Sequence, residues 1–286
     1  YVNDACPYDG DAKASCVTGC PATAMAQIMK YWNHPVQGSG FHSYQHEKYG
    51  TLSANFGNIT YDWANMTDLV DEPNDAVARL MADCGIAVDM QYTAESSGAF
   101  VIANSPTPEA CSEYAYKTYF GYSHNIEGLE RSDFAESTWI EILKEELDFG
   151  RPMQYAGFGG GGHTFVCDGY DDNMMFHMNW GWGGQEDGYF LINSLNPGAG
   201  GIGSGEGTYN NDQQAVIGIK PLPGSSASAP HFGLSLNSAI SVSQSPIITG
   251  TPFTVDVDIT YAGSADYVSD LAAIIFTEAG VYVALE

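Results

Sequence analysis

The sequence has 286 residues, 44% of them hydrophobic and 13% aromatic, which is enough apolar material for a folded core and excludes a disordered chain. Its formal net charge at pH 7 is −26, with only nine Lys and Arg residues. We therefore expect neither nucleic acid nor an anionic membrane as a partner, because both bind basic surfaces, and no hydrophobic run predicts membrane insertion.

The first half of the chain predicts four helices, each with recognisable start and stop signals. The first starts near Pro21, which suits the first helical position. Asn74 or Asp75 can cap the second helix and Gly85 ends it, while Gly150 ends the fourth. The predicted helices cover residues 20–32, 74–84, 108–120 and 136–149.

The second half predicts short strands separated by turns rich in Gly, Asp and Asn. Helices followed by strands predict an α+β fold, in which a helical part packs against an antiparallel β-sheet part. A site built from both parts would lie in the groove between them. The predicted strands cover residues 152–157, 163–170, 173–179, 188–193 and 214–220.

A change of composition divides the chain into two domains. Residues 1–222 form the predicted main domain, and the small, Pro- and Ser-rich stretch 223–230 is typical of a linker. Residues 231–286 alternate like the strands of a β-sandwich and predict a partial, immunoglobulin-like module. Because about 55 residues are few for a complete sandwich, we expect this module to be incomplete.

Cys20 is a candidate nucleophile because it stands at the start of the first predicted helix. A helix start presents unpaired backbone N–H groups and the positive end of the helix dipole, which favour a thiolate. Gly19 allows the preceding turn to approach a substrate closely. A small buried cysteine beside a helix cap is the alternative interpretation of Cys20 taken alone.

His163 and Asn179 complete a candidate catalytic group. His163 follows four glycines and begins a predicted strand, and Asn179 ends the next one. Two antiparallel neighbours would bring the two side chains together. An amide that binds one imidazole nitrogen fixes the ring and leaves the other nitrogen for a thiol, as in Cys-His-Asn enzymes. The sequence therefore predicts a thiolate–imidazolium pair of Cys20 and His163 that acts through an acyl-enzyme.

Longer motifs around these residues resemble one known family, the secreted bacterial cysteine peptidases of the streptopain and interpain type. The resemblance runs from about Cys6 to Pro221. Its motifs are Thr18-Gly19-Cys20 with Ala22-Thr23-Ala24 and Ala26 to Tyr31, Met81-Ala82-Asp83, Val88-Asp89-Met90, Arg131 to Phe134, Gly161-Gly162-His163, Asn179 to Gly184, Asp187-Gly188 and Leu195-Asn196-Pro197.

The resemblance implies a papain-like fold and a secreted or cell-surface endopeptidase of bacteria. It implies protein or peptide substrates, a preference for a hydrophobic residue two positions before the cut, and an N-terminal propeptide that acts as an inhibitor. Transferred by position, the implied catalytic roles are Cys20 as nucleophile, His163 as base, Asn179 as orienting amide and Trp180 as the indole that shields their hydrogen bond.

The resemblance also assigns substrate-binding positions, namely Ser97, Gly98, Ala99 and Gly162. One position departs from the pattern, because the family glutamine that helps to bind the oxyanion corresponds to Ala14. The second oxyanion donor is therefore left open.

No cofactor or metal site is predicted, because the remaining histidines lack metal-ligand spacing. Six cysteines are too few for a disulfide scaffold in a chain of this length. The spacing of Cys6 and Cys16 allows a disulfide across a turn and equally allows two free thiols.

Two other functions stay open at this point. A Cys-dependent acyl transferase or transpeptidase would use the same acyl-enzyme but pass the acyl group to an amine or thiol. A non-catalytic surface-binding protein would act through the C-terminal module. The presence of Cys20, His163 and Asn179 together favours an enzyme.

Overall fold

A computed structural model describes residues 1–198 and 207–222, together with six short strands between residues 234 and 284. By its contacts the chain divides into two compact units, Tyr1–Ala227 and Ser228–Glu286. The first unit contains every candidate site residue. Within the described residues, no helix is long and apolar enough to cross a membrane.

Four α-helices form where the sequence predicts helices. The Asn74 side chain caps α2 as expected, accepting a hydrogen bond from the Val77 N–H at 3.0 Å. Gly85 does not end this helix, which continues for two more residues and packs Gly85 against the Tyr92 ring. The helices are α1 (Cys20–Trp32), α2 (Asp75–Ala87), α3 (Ser112–Thr118) and α4 (Glu136–Asp148).

Helix α3 is shorter than predicted and begins four residues later. Its first-turn donors are used by tertiary contacts, since the Ser112 N–H donates to the Phe100 carbonyl and the Glu113 N–H to the Val101 carbonyl. The Glu113 carboxylate in turn accepts the Ala103 N–H at 2.8 Å. A loop from elsewhere in the chain therefore caps this helix in place of the predicted Thr-Pro signal.

Two hairpins in the helical half were not predicted. The first joins β1 (Tyr8–Asp9) to β2 (Ala14–Ser15), and the second joins β3 (Phe41–His46) to β4 (Gly50–Asn55). The longer hairpin buries few of its side chains, and these are Tyr44, His46 and Ala54. Its sequence therefore lacks the regular apolar alternation that indicates a strand.

The main sheet has six antiparallel strands in the order β5-β10-β6-β7-β8-β9. The last of these strands in the sequence lies inside the sheet, and the unpredicted strand β5 forms one edge. The strands are β5 (Glu127–Glu130), β6 (Met153–Phe158), β7 (Gly162–Tyr170), β8 (Phe176–Asn179), β9 (Gly188–Phe190) and β10 (Asn211–Ile217).

Two hydrophobic clusters stabilise the unit. One gathers α1, α2, α3 and the β3–β4 hairpin around residues such as Met25 and Phe120. The other lies between α4 and the sheet and contains Trp139, Phe165 and Trp180. Helix α1 packs directly against β7, so the start of α1 and the start of β7 meet at the boundary between the clusters.

The second unit is described only as three antiparallel strand pairs. They are β11 (Leu234–Leu236) with β14 (Ile259–Tyr261), β12 (Ser241–Val242) with β13 (Val255–Asp256), and β15 (Ile274–Phe276) with β16 (Tyr282–Ala284). The predicted linker and the rest of the predicted β-sandwich lie outside the described residues.

Candidate active site

Cys20 is the first residue of α1 and is partly exposed. The chain reaches it through Gly19, whose φ of 85° is a conformation that side chains beyond glycine rarely adopt. A Cβ on Gly19 would lie 2.9 Å from the Ser97 carbonyl oxygen, so the turn before Cys20 packs closely on the segment that contains Ser97. The thiol is thus held at the junction of two backbone segments.

His163 is the second residue of β7 and is only 6% exposed. Its ring stacks on Trp182, with centroids 4.9 Å apart, and lies 5.2 Å from the Tyr209 ring. Burial lowers the pKa of this imidazole to about 4, against the opposing effect of a hydrogen bond to the Trp180 carbonyl. The neutral imidazole is therefore the stable form at pH 7.

One hydrogen bond defines the tautomer of His163. The Nε2 atom lies 2.9 Å from the carbonyl oxygen of Trp180. A carbonyl oxygen can only accept, so Nε2 is the donor and carries the proton. The neutral ring then has its unprotonated nitrogen at Nδ1, which is the acceptor that a thiol requires.

Asn179 occupies a different place from the one predicted. Its Oδ1 accepts hydrogen bonds from the Gln27 side chain and from the Gly181 N–H, both at 3.0 Å. In the sheet Asn179 pairs with Val166, three residues beyond His163. The antiparallel arrangement of β7 and β8 is as expected, but the group on the ring is the main-chain carbonyl of Trp180 and the amide supports the loop behind it.

Trp180 is fully buried beside the histidine. Its ring centroid lies 6.3 Å from that of His163, and its indole N–H donates to the Glu186 carbonyl at 3.0 Å. Its main-chain N–H donates to the Asp187 carboxylate at 2.9 Å. The loop after β8 is therefore held by both the side chain and the backbone of this residue.

Cys20 and His163 line one cleft, which has a volume of about 380 Å³. Among the residues described, no hydrogen bond joins the Cys20 sulfur to the imidazole. Of the predicted substrate-binding positions, three line the cleft, and Ala99 instead packs against the first hydrophobic cluster. The lining residues that were predicted from sequence are Cys20, Ser97, Gly98, Gly162, His163 and Trp180.

The protonation of Cys20 differs from the sequence-based expectation. Enclosure by protein raises the pKa of the thiol, and hydrogen bonds from the backbone and side chain of Thr164 lower it by a smaller amount. The expected preference for thiolate at a helix start is thus outweighed by burial, because a charged sulfur loses its solvation. The structure favours a neutral thiol next to a neutral imidazole.

Ala14 lies outside this site. It belongs to the exposed strand β2 and is not among the residues that line the cleft. The residue that the resemblance matched to an oxyanion-binding glutamine therefore does not face the cleft in this structure. Ala14 is paired with Asp9 in the β1–β2 hairpin, which precedes Cys20 in the chain.

Other residues of the site were not predicted. Trp182 lines the cleft and stacks on His163, Thr164 contacts the thiol, and Gln27 and Asp187 bind the loop after β8. Trp182 and Asp187 stand inside the quoted motifs, so their position was a usable signal. Gln27 also stands inside a quoted motif, Ala26 to Tyr31, but there it has the ordinary appearance of a helix former.

No group of three or more His, Cys, Asp or Glu side chains in the described part of the chain could hold a metal ion. All six cysteines are free, so Cys6 and Cys16 form no disulfide in this structure. Burial raises the pKa of Cys6 to about 12. The thiols of Cys6 and Cys16 are both buried and do not line the cleft.

Comparison with known proteins identifies relatives of the first unit. The model of the peptidase C10 family matches residues 1–190. The thiol protease/hemagglutinin PrtT of Porphyromonas gingivalis is 39% identical over 213 residues, which cover 71% of this chain and 24% of that protein. Streptopain of Streptococcus pyogenes is 40% identical over 219 residues, which cover 71% of this chain and 52% of that protein. The chain thus spans about a quarter and about half of these curated relatives.

Solved structures show the same fold. The active wild-type interpain A cysteine protease of Prevotella intermedia aligns with a TM-score of 0.66 and 34% identity, over 76% of this chain and 89% of that one. A prointerpain A fragment from the same organism aligns with a TM-score of 0.64 and 36% identity, over 78% of this chain and 68% of that one. The mixed helix and antiparallel-sheet architecture is therefore papain-like, as predicted.

Proposed function

The chain belongs to the peptidase C10 family, and from this premise we propose that it is a cysteine endopeptidase acting through Cys20 and His163. The observation that carries the proposal is the hydrogen bond from His163 Nε2 to the Trp180 carbonyl. It leaves Nδ1 as the proton acceptor in a cleft that Cys20 also lines. A thiol, a base and a group that orients the base are the parts that nucleophilic catalysis requires.

The proposed reaction has two halves. The Cys20 sulfur attacks the substrate carbonyl carbon as its proton passes to His163 Nδ1, and the tetrahedral intermediate collapses when the imidazolium gives that proton to the leaving amine. The product of this half is a thioester on Cys20. A water molecule then attacks the thioester and transfers a proton to His163. The Cys20 sulfur leaves as the carboxylic acid product forms, and it takes that proton back from the imidazolium.

The electrostatics of the cleft support this order of events. Burial favours the neutral form of both the thiol and the imidazole, and we therefore propose that the proton moves as the sulfur attacks. The Cys20 N–H, at the start of a helix, is available to the oxyanion. Trp180 and Trp182 keep water away from the hydrogen bond that orients the base.

An extended peptide is the substrate that suits this cleft. Gly98 and Gly162 expose backbone on its walls, and Ser97 lies beside them, so a bound chain would pair its main chain there. We propose Cys20, His163 and Trp180 as catalytic residues, Asn179 as their support, and Ser97, Gly98 and Gly162 as substrate-binding residues. The apolar side chains of Val2 and Val17 on the same cleft support a hydrophobic residue two positions before the cut.

Two further features of the proposal come from the relatives. The existence of prointerpain A supports synthesis with an N-terminal propeptide that blocks the cleft until it is removed. We also propose that the protein is exported from a bacterial cell, with residues 1–222 as the peptidase domain and residues 231–286 as a separate β-rich module.

Labelling with an epoxide inhibitor of cysteine proteases tests the proposal directly. We expect peptide mapping to find the label on Cys20, and we expect casein hydrolysis to disappear in Cys20→Ala protein with an unchanged near-UV circular dichroism spectrum. Cys111→Ala serves as the control, because Cys111 is buried and does not line the cleft. Full activity of the Cys20→Ala protein would refute the proposed mechanism.

A further inference from the structure

Helix α1 carries two polar side chains on one face. Cys20 begins the helix and Gln27 follows seven residues later, so the two project to the same side, about 10 Å apart along the axis. The Cys20 end opens into the cleft. The Gln27 side chain instead reaches the end of strand β8, where the loop that contacts the histidine begins.

A continuous series of hydrogen bonds leads from Gln27 to the catalytic ring. Gln27 Nε2 donates to Asn179 Oδ1 at 3.0 Å, and the same oxygen accepts the Gly181 N–H at 3.0 Å. The Gly181 N–H and the Trp180 carbonyl are the two ends of a single peptide group. That carbonyl is the acceptor 2.9 Å from His163 Nε2.

Planarity makes this peptide group an effective connection. Because the amide is rigid, an acceptor that fixes the direction of its N–H also fixes the direction of its carbonyl. Helix α1 lies close to the same peptide, since a Cβ on Gly181 would lie 3.0 Å from the Thr23 methyl group. The orientation of the histidine therefore depends on the position of the Asn179 oxygen.

Asn179 is in turn held by Gln27. An asparagine amide has an oxygen and an NH₂ group of similar size, and a rotation about its last bond would turn the NH₂ group toward the Gly181 N–H. The Gln27 NH₂ group opposes that rotation because it requires the oxygen to face it. Gln27 Oε1 is buried and receives no hydrogen bond from the residues described, so donation through Nε2 is the contribution of this side chain.

We propose that Gln27 is a positioning residue for catalysis, which orients His163 through Asn179 and the peptide between Trp180 and Gly181. The inference rests on the proposed function, because it gives Gln27 a task in presenting His163 Nδ1 to the Cys20 thiol. It links the helix that carries the nucleophile to the loop that holds the base. A change in the packing of α1 is thereby transmitted to the ring.

The test compares Gln27→Met and Gln27→Glu proteins with the parent. Methionine keeps the length of the side chain without the donor, and a carboxylate places an acceptor against the Asn179 oxygen and favours rotation of that amide. We expect kcat for a peptide substrate to fall about tenfold in both variants while KM stays within about twofold, as for loss of one hydrogen bond. Gln45→Met is the matched control, because this exposed amide donates a hydrogen bond to Thr51 and lies outside the lining of the cleft.

Nitrogen-15 spectra of the imidazoles supply a readout that does not require activity. In Cys20→Ala protein we expect His163 as a single Nε2–H tautomer, and we expect the added Gln27→Met or Gln27→Glu change to produce a mixture. The inference is overturned if the folded Gln27 variants keep the single tautomer in the Cys20→Ala background and keep the parental kcat when Cys20 is present. If the parent protein neither hydrolyses peptides nor reacts at Cys20, the proposed function fails, and the tautomer comparison still decides the role of Gln27.

Discussion

At the scale of single residues, burial and hydrogen bonding together set the protonation and the tautomer of His163, the proposed base. Burial removes the stabilisation of the charged ring by water and so lowers the pKa of the imidazole, while the hydrogen bond to the Trp180 carbonyl raises it by a smaller amount. The resulting pKa is about 4. The carbonyl also selects the Nε2–H tautomer. In the proposed mechanism, a main-chain acceptor therefore has the orienting role that the sequence predicted for the Asn179 side chain.

This burial makes stability depend on pH. In the unfolded chain the His163 ring takes up a proton near pH 6.5, whereas in the folded protein it does so only near pH 4. Between pH 4 and pH 6.5 the unfolded state binds more protons than the folded state. We therefore expect His163 to contribute about 3 kcal/mol to the free energy of unfolding above pH 6.5, and this contribution is lost as the pH falls to 4. Urea unfolding at several pH values measures it.

The comparison uses Cys20→Ala protein with and without His163→Gln. The difference in unfolding free energy between the two should change by about 3 kcal/mol between pH 7 and pH 4, and carboxylate titration cancels because it is common to both. His124→Gln, at an exposed ring, is the matched control. If the unfolding free energies of the proteins with and without His163→Gln have the same dependence on pH, the ring of His163 is not buried in its neutral form.

At the scale of elements, the start of α1 depends on one backbone conformation. Gly19 has φ 85° and no side-chain cap replaces its role, so the turn is made possible by the absence of a Cβ. The same residue packs against Met90 and the Ser97 carbonyl. The wall of the cleft and the start of the helix are therefore built on a shared contact.

We expect Gly19→Ala to destabilise the protein by about 1–3 kcal/mol and to reduce kcat/KM, because the new methyl group meets the Ser97 oxygen at 2.9 Å in a strained conformation. Thermal unfolding and peptide hydrolysis measure the two effects. Gly10→Ala is the control, since a Cβ there meets nothing within 4 Å. Equal melting temperatures for the two variants would refute this account of the turn.

A buried ion pair fastens α4 to the sheet. Glu146 binds Arg151 through both carboxylate oxygens, at 2.6 and 2.9 Å, and accepts the Gly218 N–H at 2.7 Å. Both side chains are largely buried. The pair joins the end of α4 to the residues that flank β6 and β10.

Glu146→Ala should cost about 3–5 kcal/mol of unfolding free energy, because it leaves the Arg151 charge buried without its partner. Asp11→Ala removes an exposed carboxylate from Lys48 and should cost less than about 1 kcal/mol. Denaturant titrations of the two variants give the comparison. A Glu146→Ala protein as stable as the Asp11→Ala protein would show that the pair contributes little.

At the scale of the whole molecule, the candidate active site belongs to the first compact unit. The cleft, both hydrophobic clusters and the six-stranded sheet are all built from residues before 223. The peptidase relatives match this part of the chain as well, since the family model covers residues 1–190. The first unit therefore contains what the proposed reaction needs.

A shortened protein tests this division. We expect a chain ending at Ala227 to fold and to hydrolyse a small peptide with a kcat/KM within about twofold of the full chain, because no site residue is removed. Near-UV circular dichroism and peptide hydrolysis check the expectation. Loss of the folded spectrum in the shortened protein would show that residues 228–286 stabilise the first unit.

Local signals in the sequence determined where most of the helices and strands lie and to which family the chain belongs. Helix caps and breakers located α1, α2 and α4 to within a few residues, and turn residues located the strands β6 to β10 to a similar accuracy. The motifs around Cys20 and His163 identified the family. These features depend on residues close together in the chain, where hydrogen bonding and side-chain periodicity act over one or two turns.

The tertiary structure alone decided which atoms meet. Strand register placed Asn179 opposite Val166 and left the Trp180 carbonyl to bind His163, while Ala14 lies in a hairpin and does not line the cleft. Packing set the neutral states of Cys20 and His163, because desolvation depends on every group that surrounds them. The contacts of the site join residues from 17 positions apart, for His163 and Trp180, to 152 positions apart, for Gln27 and Asn179. The spacing of residues along the chain carries no information on their geometry.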